Sequence, residues 1–146
     1  MSRDPYKEGL IKGKPFARAK RSLTTGVMVA IMDHKMEERG LSLMHVPSRA
    51  LLSGEIHELL VTDEDSKRPG DTVNRVAVLG FFEINRGGVV VEGDQVTVAK
   101  KVVGRVIGFD DTHMPNHINV VIKVRKRATG IEMNFKPGDE VVIREH

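Results

Sequence analysis

The 146-residue chain has no cysteine and no tryptophan, and aromatic residues make up only 4% of it. Without cysteine there is no disulfide, no thiol nucleophile, no Cys-ligated zinc and no iron–sulfur cluster. Any bound metal would have to rest on histidine and carboxylates. Long apolar runs are also missing. The longest, Val27–Met32, falls far short of the roughly 20 residues that a helix needs to cross a bilayer. The polar N-terminus lacks the apolar stretch of a secretory signal. These features lead us to expect a soluble, cytoplasmic protein with no membrane attachment.

Familiar catalytic and nucleotide motifs are absent as well. No G-x-G-x-x-G occurs, and no strand–helix alternation supports a dinucleotide-binding domain. The stretch Gly9-Leu10-Ile11-Lys12-Gly13-Lys14-Pro15 has three residues between its glycines where a P-loop needs four, and Pro15 stands where the Mg²⁺-binding hydroxyl belongs. No G-x-S-x-G elbow accompanies Ser53 and His57, so serine hydrolysis is not expected.

What the chain does contain is one domain's worth of apolar residues, 40% of the whole, and an uneven charge. Residues 1–22 hold Arg3, Lys7, Lys12, Lys14, Arg18, Lys20 and Arg21 against Asp4 and Glu8, a charge of +5 within a chain whose net charge is +3. The sequence therefore divides into a basic N-terminal arm over 1–22 and a nearly neutral domain over 23–146. Such arms are solvated tails, or lie on nucleic acid, anionic surfaces or partner subunits.

From residue 23 onward, short β-branched runs alternate with Gly, Asp, Asn and Pro, the pattern of strands and turns. We expect strands at Leu23–Met32, Leu41–Val46, Val73–Ile84, Val89–Val91, Gln95–Lys100, Val102–Phe109, His117–Arg125, Ile131–Phe135 and Val141–Arg144. Asn85-Arg86-Gly87-Gly88 should turn Val89–Val91 back onto Val73–Ile84 as a hairpin. A helical turn is expected at Asp33–Gly40 and a short helix at Ser48–Ser53, while Glu55–Val61 fits strand or helix. Many short strands, several of them apolar on both faces, predict an all-β fold, a small closed or partly closed β-barrel with one or two short helices.

Three segments share a pattern: Pro69-Gly70-Asp71-Thr72-Val73, Glu92-Gly93-Asp94-Gln95-Val96 and Pro137-Gly138-Asp139-Glu140-Val141. Glycine suits a turn position with positive φ, Asp can bond the backbone just after it, and Val begins a strand. The G-D-x-V pattern resembles the strand starts of cradle-loop and related small β-barrels. It implies turn chemistry and carries no catalytic residue.

The segment Asp110-Asp111-Thr112-His113-Met114-Pro115-Asn116-His117-Ile118-Asn119 is the densest gathering of ligand-type side chains. With Val102–Phe109 and His117–Arg125 as antiparallel neighbours, it forms their connecting loop, turned at Pro115-Asn116 so that His113 and His117 face a common point. Two chemistries follow. His113, His117, Asp110 and Asp111 could hold a divalent metal, Zn²⁺, Mn²⁺, Fe²⁺ or Ni²⁺, and support hydrolase, lyase or isomerase chemistry. Without a metal, His113 or His117 could act as a general base oriented by Asp111 or Asp110. In the following strand Ile118, Val120, Ile122 and Val124 share one face. His117, Asn119, Lys123 and Arg125 fall on the other, a line broken only by Val121, and with Asn116 are candidates for binding an anionic ligand; a solvated barrel exterior explains the line equally well.

The leading expectation is thus a small-molecule-binding protein or metal-assisted enzyme with its site on the Asp110–Asn119 loop. The alternative is a non-catalytic nucleic-acid-binding or partner-docking module that uses the basic arm and Lys123–Arg127. The scarcity of aromatics argues against base stacking and leaves only phosphate contacts to that alternative. Homo-oligomerisation is compatible with the apolar strands, but no sequence feature fixes a number of subunits.

Overall fold

Alternating apolar residues along strands that bury both faces require one partner inside the sheet and another outside it. A computed structural model describes residues 19–146, and within them the chain is all-β with no helix. Most of the basic arm therefore lies outside the described residues. The strands are β1 (Thr24–Met36), β2 (Leu41–Ser42), β3 (Ser48–Leu51), β4 (Ile56–Thr62), β5 (Thr72–Val73) and β6 (Val76–Arg86). They continue with β7 (Gly88–Val91), β8 (Gln95–Val98), β9 (Lys101–Asp110), β10 (Asn119–Lys123) and β11 (Glu140–Arg144).

Seven strands pair in the order β1-β11-β8-β9-β10-β4-β6, and β6 returns to β1, so the sheet is a closed barrel. All of these pairings are antiparallel except β4 with β10, which run parallel. Two small appendages complete the fold, β2 with β5 and β3 with β7.

Two apolar clusters correspond to the two faces of the wall. Strands all around the ring send Met28, Leu59, Leu79, Phe82, Val96, Phe109, Val120 and Ile143 into one core, which fills the barrel. The opposite faces of β4, β6 and β10 contribute Leu60, Val76, Val78 and Val121 to a second cluster, closed from outside by Leu41, Leu43 and Val73. The segment carrying β2 thus acts as a flap over the wall. It is tied down where Met44 N–H donates to Phe109 O at 2.8 Å and Leu43 N–H donates to Asp71 O at 2.9 Å.

Several expectations are corrected here. Asp33–Gly40 is not a helical turn, because β1 continues to Met36 along β6, pairing Met36 with Val76. Ser48–Ser53 is not a helix: Ser48–Leu51 forms β3, and its partner is β7. For the same reason Val89–Val91 does not return onto the preceding strand. Ile131–Phe135 is a turn, held by Met133 N–H donating to Thr129 O and Phe135 N–H donating to Gly130 O. The ambiguous Glu55–Val61 resolves into strand β4. Within β6, bulges around Gly80 break the simple alternation, so Val76 and Val78 face outward while Leu79, Phe82 and Ile84 face the core.

The three G-D-x-V segments adopt one turn. Gly70, Gly93 and Gly138 have φ of 95°, 94° and 95°, which suits glycine. Contrary to the sequence reading, each Asp bonds the backbone before it. Asp71, Asp94 and Asp139 carboxylates accept the N–H of Arg68, Val91 and Lys136, three residues upstream, at 3.1, 2.9 and 2.8 Å. Asp94 also receives Arg21 in a two-pronged ion pair with one contact at 2.9 Å, which fastens the start of the described chain to the β7–β8 turn.

Candidate functional site

The β9–β10 connection begins and ends on a polar pair. Asp110 and Asn119 are direct partners in the antiparallel ladder, so their side chains emerge on the same outer face. Asn119 Nδ2 donates to Asp110 Oδ2 at 2.7 Å, and Thr112 Oγ1 donates to Asp110 Oδ1 at 2.6 Å. Both ends of the pair are buried, with Asp110 2% and Asn119 1% exposed. Arg39, on the chain leading into the flap, brings its guanidinium to 3.9 Å from Asp110 Oδ2.

The ladder extends the row across β4 and β6. Asn119 lies beside Glu58, and Glu58 lies beside Phe81. Burial raises the Glu58 carboxyl above the ordinary carboxylate range, with a smaller push from Asp110 and an opposing pull from His113, Arg39 and His34. Glu58 and Asn119 are therefore the first polar side chains above the apolar flap contact, where Leu60 and Val121 continue the same face.

His117, two residues before Asn119, stands on this face as well. Its ring meets Phe81 edge-on at 5.2 Å and stacks on His113 at 5.0 Å, so the loop does bring the two imidazoles together. Burial lowers the His117 pKa, helped by His113 and His57. Its Nε2 and the Oδ1 of Asn119 are buried and find no hydrogen-bond partner among the described residues. A buried polar atom without a partner costs about 1–3 kcal/mol, so a pair of them on one face marks a place where something else supplies the bonds.

His57, on the inward side of β4, has a different role. Ile118 N–H donates to His57 Nδ1 at 3.1 Å, which leaves the imidazole proton on Nε2, facing Glu55 Oε1 at 3.0 Å. The Glu55 carboxylate is held below its usual pKa first by the Leu52 amide at 2.8 Å and then by His57. With both ring nitrogens occupied, His57 clamps the end of the loop onto β4. Beside it a cleft of about 310 Å³ opens between Glu55, Arg49 and the loop tip at Met114, Pro115 and Asn116.

The remaining sequence candidates divide. Asp111 is exposed, and its carbonyl serves the loop turn by accepting Met114 N–H at 3.0 Å. Among the described residues no group of three or more His, Asp or Glu side chains converges to hold a metal ion. The expected ligand set His113, His117, Asp110 and Asp111 is not assembled. Both Asp110 oxygens are already taken, and two stacked rings, only 25° from parallel, do not aim their nitrogens at one point.

Lys123 and Arg127 are engaged internally. Lys123 Nζ pairs with Asp65 at 2.9 Å, and Arg127 pairs with Glu37 at 2.7 Å. Only Arg125 and Lys126 of that run are left exposed for a partner. His45 is exposed beside Gly70.

Glu58, Arg39 and Phe81 escaped the sequence reading because they come from three other segments. The available signal was alternation, since assigning 56–62 as a strand puts Glu58 opposite the buried His57 and Leu59.

A family model described as a family of unknown function (DUF6917) matches residues 18–144. No curated protein and no solved structure matches the chain.

Proposed function

The chain belongs to that family of unknown function, and from this premise we propose that it binds a small polar molecule over the outer face of β4 and β10, with Glu58 and His117 exchanging protons with it. The observation that carries the reading is the pair of buried atoms without a partner among the described residues, Asn119 Oδ1 and His117 Nε2, on the face that also holds Glu58. Asn119 Oδ1 accepts only, so the ligand presents an N–H or O–H there. A primary amide or a polyol has this chemistry.

The electrostatics favour proton exchange. Burial moves the Glu58 pKa up and the His117 pKa down, so Glu58 holds a proton more readily and His117 gives one up more readily than the free side chains do. Asp110, whose two oxygens accept from Asn119 and Thr112 and which faces Arg39, holds Asn119 in place instead of acting on the ligand. Isomerisation, elimination and hydration of small polar substrates are reactions that a proton donor and acceptor of this kind can serve.

The direct experiment is a panel of primary amides and polyols tested by saturation-transfer NMR on the wild type and on Asn119→Leu. Binding by at least one compound, lost in the variant, supports the site. Binding by none, or binding indifferent to the substitution, refutes it.

A further inference from the structure

The barrel's other end carries a cavity with a different character. It holds about 200 Å³ and is lined by Val61, Leu79, Val103, Val124, Ala128 and Met133, with Arg125 and Lys126 at its edge. Val61 and Leu79 are each 1% exposed and belong to the barrel interior, so the cavity is an opening into the core and not a surface dimple. At about 30 Å³ per water-sized group, it has room for about six or seven heavy atoms.

The charge at the rim is decided by which ions are already paired. The nearby carboxylates are Asp63, Glu64 and Asp65. Asp63 pairs with Arg75 at 3.1 Å and faces Arg127 at 3.7 Å. Glu64 Oε2 accepts the N–H groups of Asn74 and Arg75 at 2.7 and 2.8 Å. Asp65 takes Lys123 at 2.9 Å. Arg125 and Lys126 make no ion pair or hydrogen bond among the described residues. An apolar cavity with two uncommitted cations at its mouth is complementary to a monoanion with a short apolar tail.

We infer that this end of the barrel binds a short-chain monocarboxylate of about four to six carbons, with its tail against Val61, Leu79 and Met133 and its carboxylate between Arg125 and Lys126. The planar guanidinium of Arg125 suits a carboxylate in particular. This site is independent of the groove above β4 and β10, from which it is separated by the length of the barrel wall, so either can fail without the other.

The test uses NMR titration of the full chain with hexanoate, hexanol and hexylammonium at constant ionic strength. It is repeated on Arg125→Ala/Lys126→Ala and on Ala128→Leu, which fills the cavity. Hexanoate should saturate, shift the signals of Val103, Val124, Ala128 and Met133, and bind about tenfold more tightly than hexanol. The double variant changes only exposed side chains. It should keep the wild-type melting temperature and lose that tenfold preference. The inference is overturned if hexanoate does not saturate, if hexylammonium binds equally well, or if the double variant binds hexanoate unchanged.

Discussion

Asn119 donates its amide to the buried carboxylate of Asp110 across the β9–β10 ladder at 2.7 Å, and in doing so turns its own carbonyl oxygen, itself buried, toward no partner among the described residues. The orientation is dictated by Asp110, because an ionised carboxylate only accepts and the amide group must face it. One acid therefore fixes which end of Asn119 is offered to a ligand.

Asn119→Asp would set two carboxylates in direct contact at a buried pair. We expect a loss of about 1–3 kcal/mol at neutral pH, recovered as one of the two protonates in acid. Urea denaturation at pH 7 and pH 4 measures both. Equal destabilisation at the two pH values would refute like-charge repulsion as the cause.

His57→Ala removes the acceptor of the Ile118 N–H and the link to Glu55. We expect about 1–3 kcal/mol of destabilisation from the orphaned amide plus the lost packing. Hydrogen exchange at the Ile118 amide should accelerate beyond what the global change explains. Unchanged exchange would mean that the clamp does not hold the loop.

The opposed shifts of Glu58 and His117 give opposite pH signatures. A carboxyl whose pKa is raised on folding binds its proton more tightly in the native state. Its contribution therefore falls as pH rises from the unfolded value of 4.5 through the raised one. A histidine whose pKa is lowered on folding does the reverse, and its contribution is lost as pH falls below 6.5 through the lowered value. Glu58→Gln should thus gain stability relative to wild type as pH rises above 4.5, whereas His117→Gln should gain as pH falls below 6.5. Denaturant midpoints of the three proteins between pH 4 and 8 read both trends, and parallel curves would refute them.

Gly80→Ala tests the bulge that turns β6 from one cluster to the other. Gly80 has φ of 149°, and an added Cβ would press on the Ala30 carbonyl oxygen of β1. The expected loss is about 1–3 kcal/mol, seen as a lower melting temperature. A neutral substitution would show that β1 and β6 can separate there at no cost.

Much of the fold was legible because it depends on local chemistry. Ile118, Val120 and Ile122 were assigned to one buried face by alternation alone, and the β9–β10 pairing followed from their turn-rich connection. What failed was long-range. Nothing near Val89–Val91 reveals that its partner is Ser48–Leu51, about forty residues upstream, and nothing near Asp33 says that β6 is long enough to carry β1 to Met36. The site divides in the same way. The loop residues His113, His117, Asp110 and Asn119 were visible as a cluster in sequence, whereas Glu58 joins them only through a parallel pairing of β4 with β10. Asn119 and Val121 were read on a face that a solvated exterior could equally explain. The flap of Leu41 and Leu43 covers that face, and the resulting burial gives the polar groups their altered chemistry.

The central claim, that Asn119 and His117 offer unfilled hydrogen-bonding positions to a small polar ligand, is tested most directly by ¹⁵N NMR of the histidine rings and asparagine side chains during titration with the amide or polyol that binds. The account predicts that the His117 Nε2 and Asn119 side-chain signals move together and saturably, while those of His57, fixed by Glu55 and Ile118, stay still. Binding that moves His57 or the loop tip at Asn116 and leaves His117 and Asn119 unchanged would contradict it.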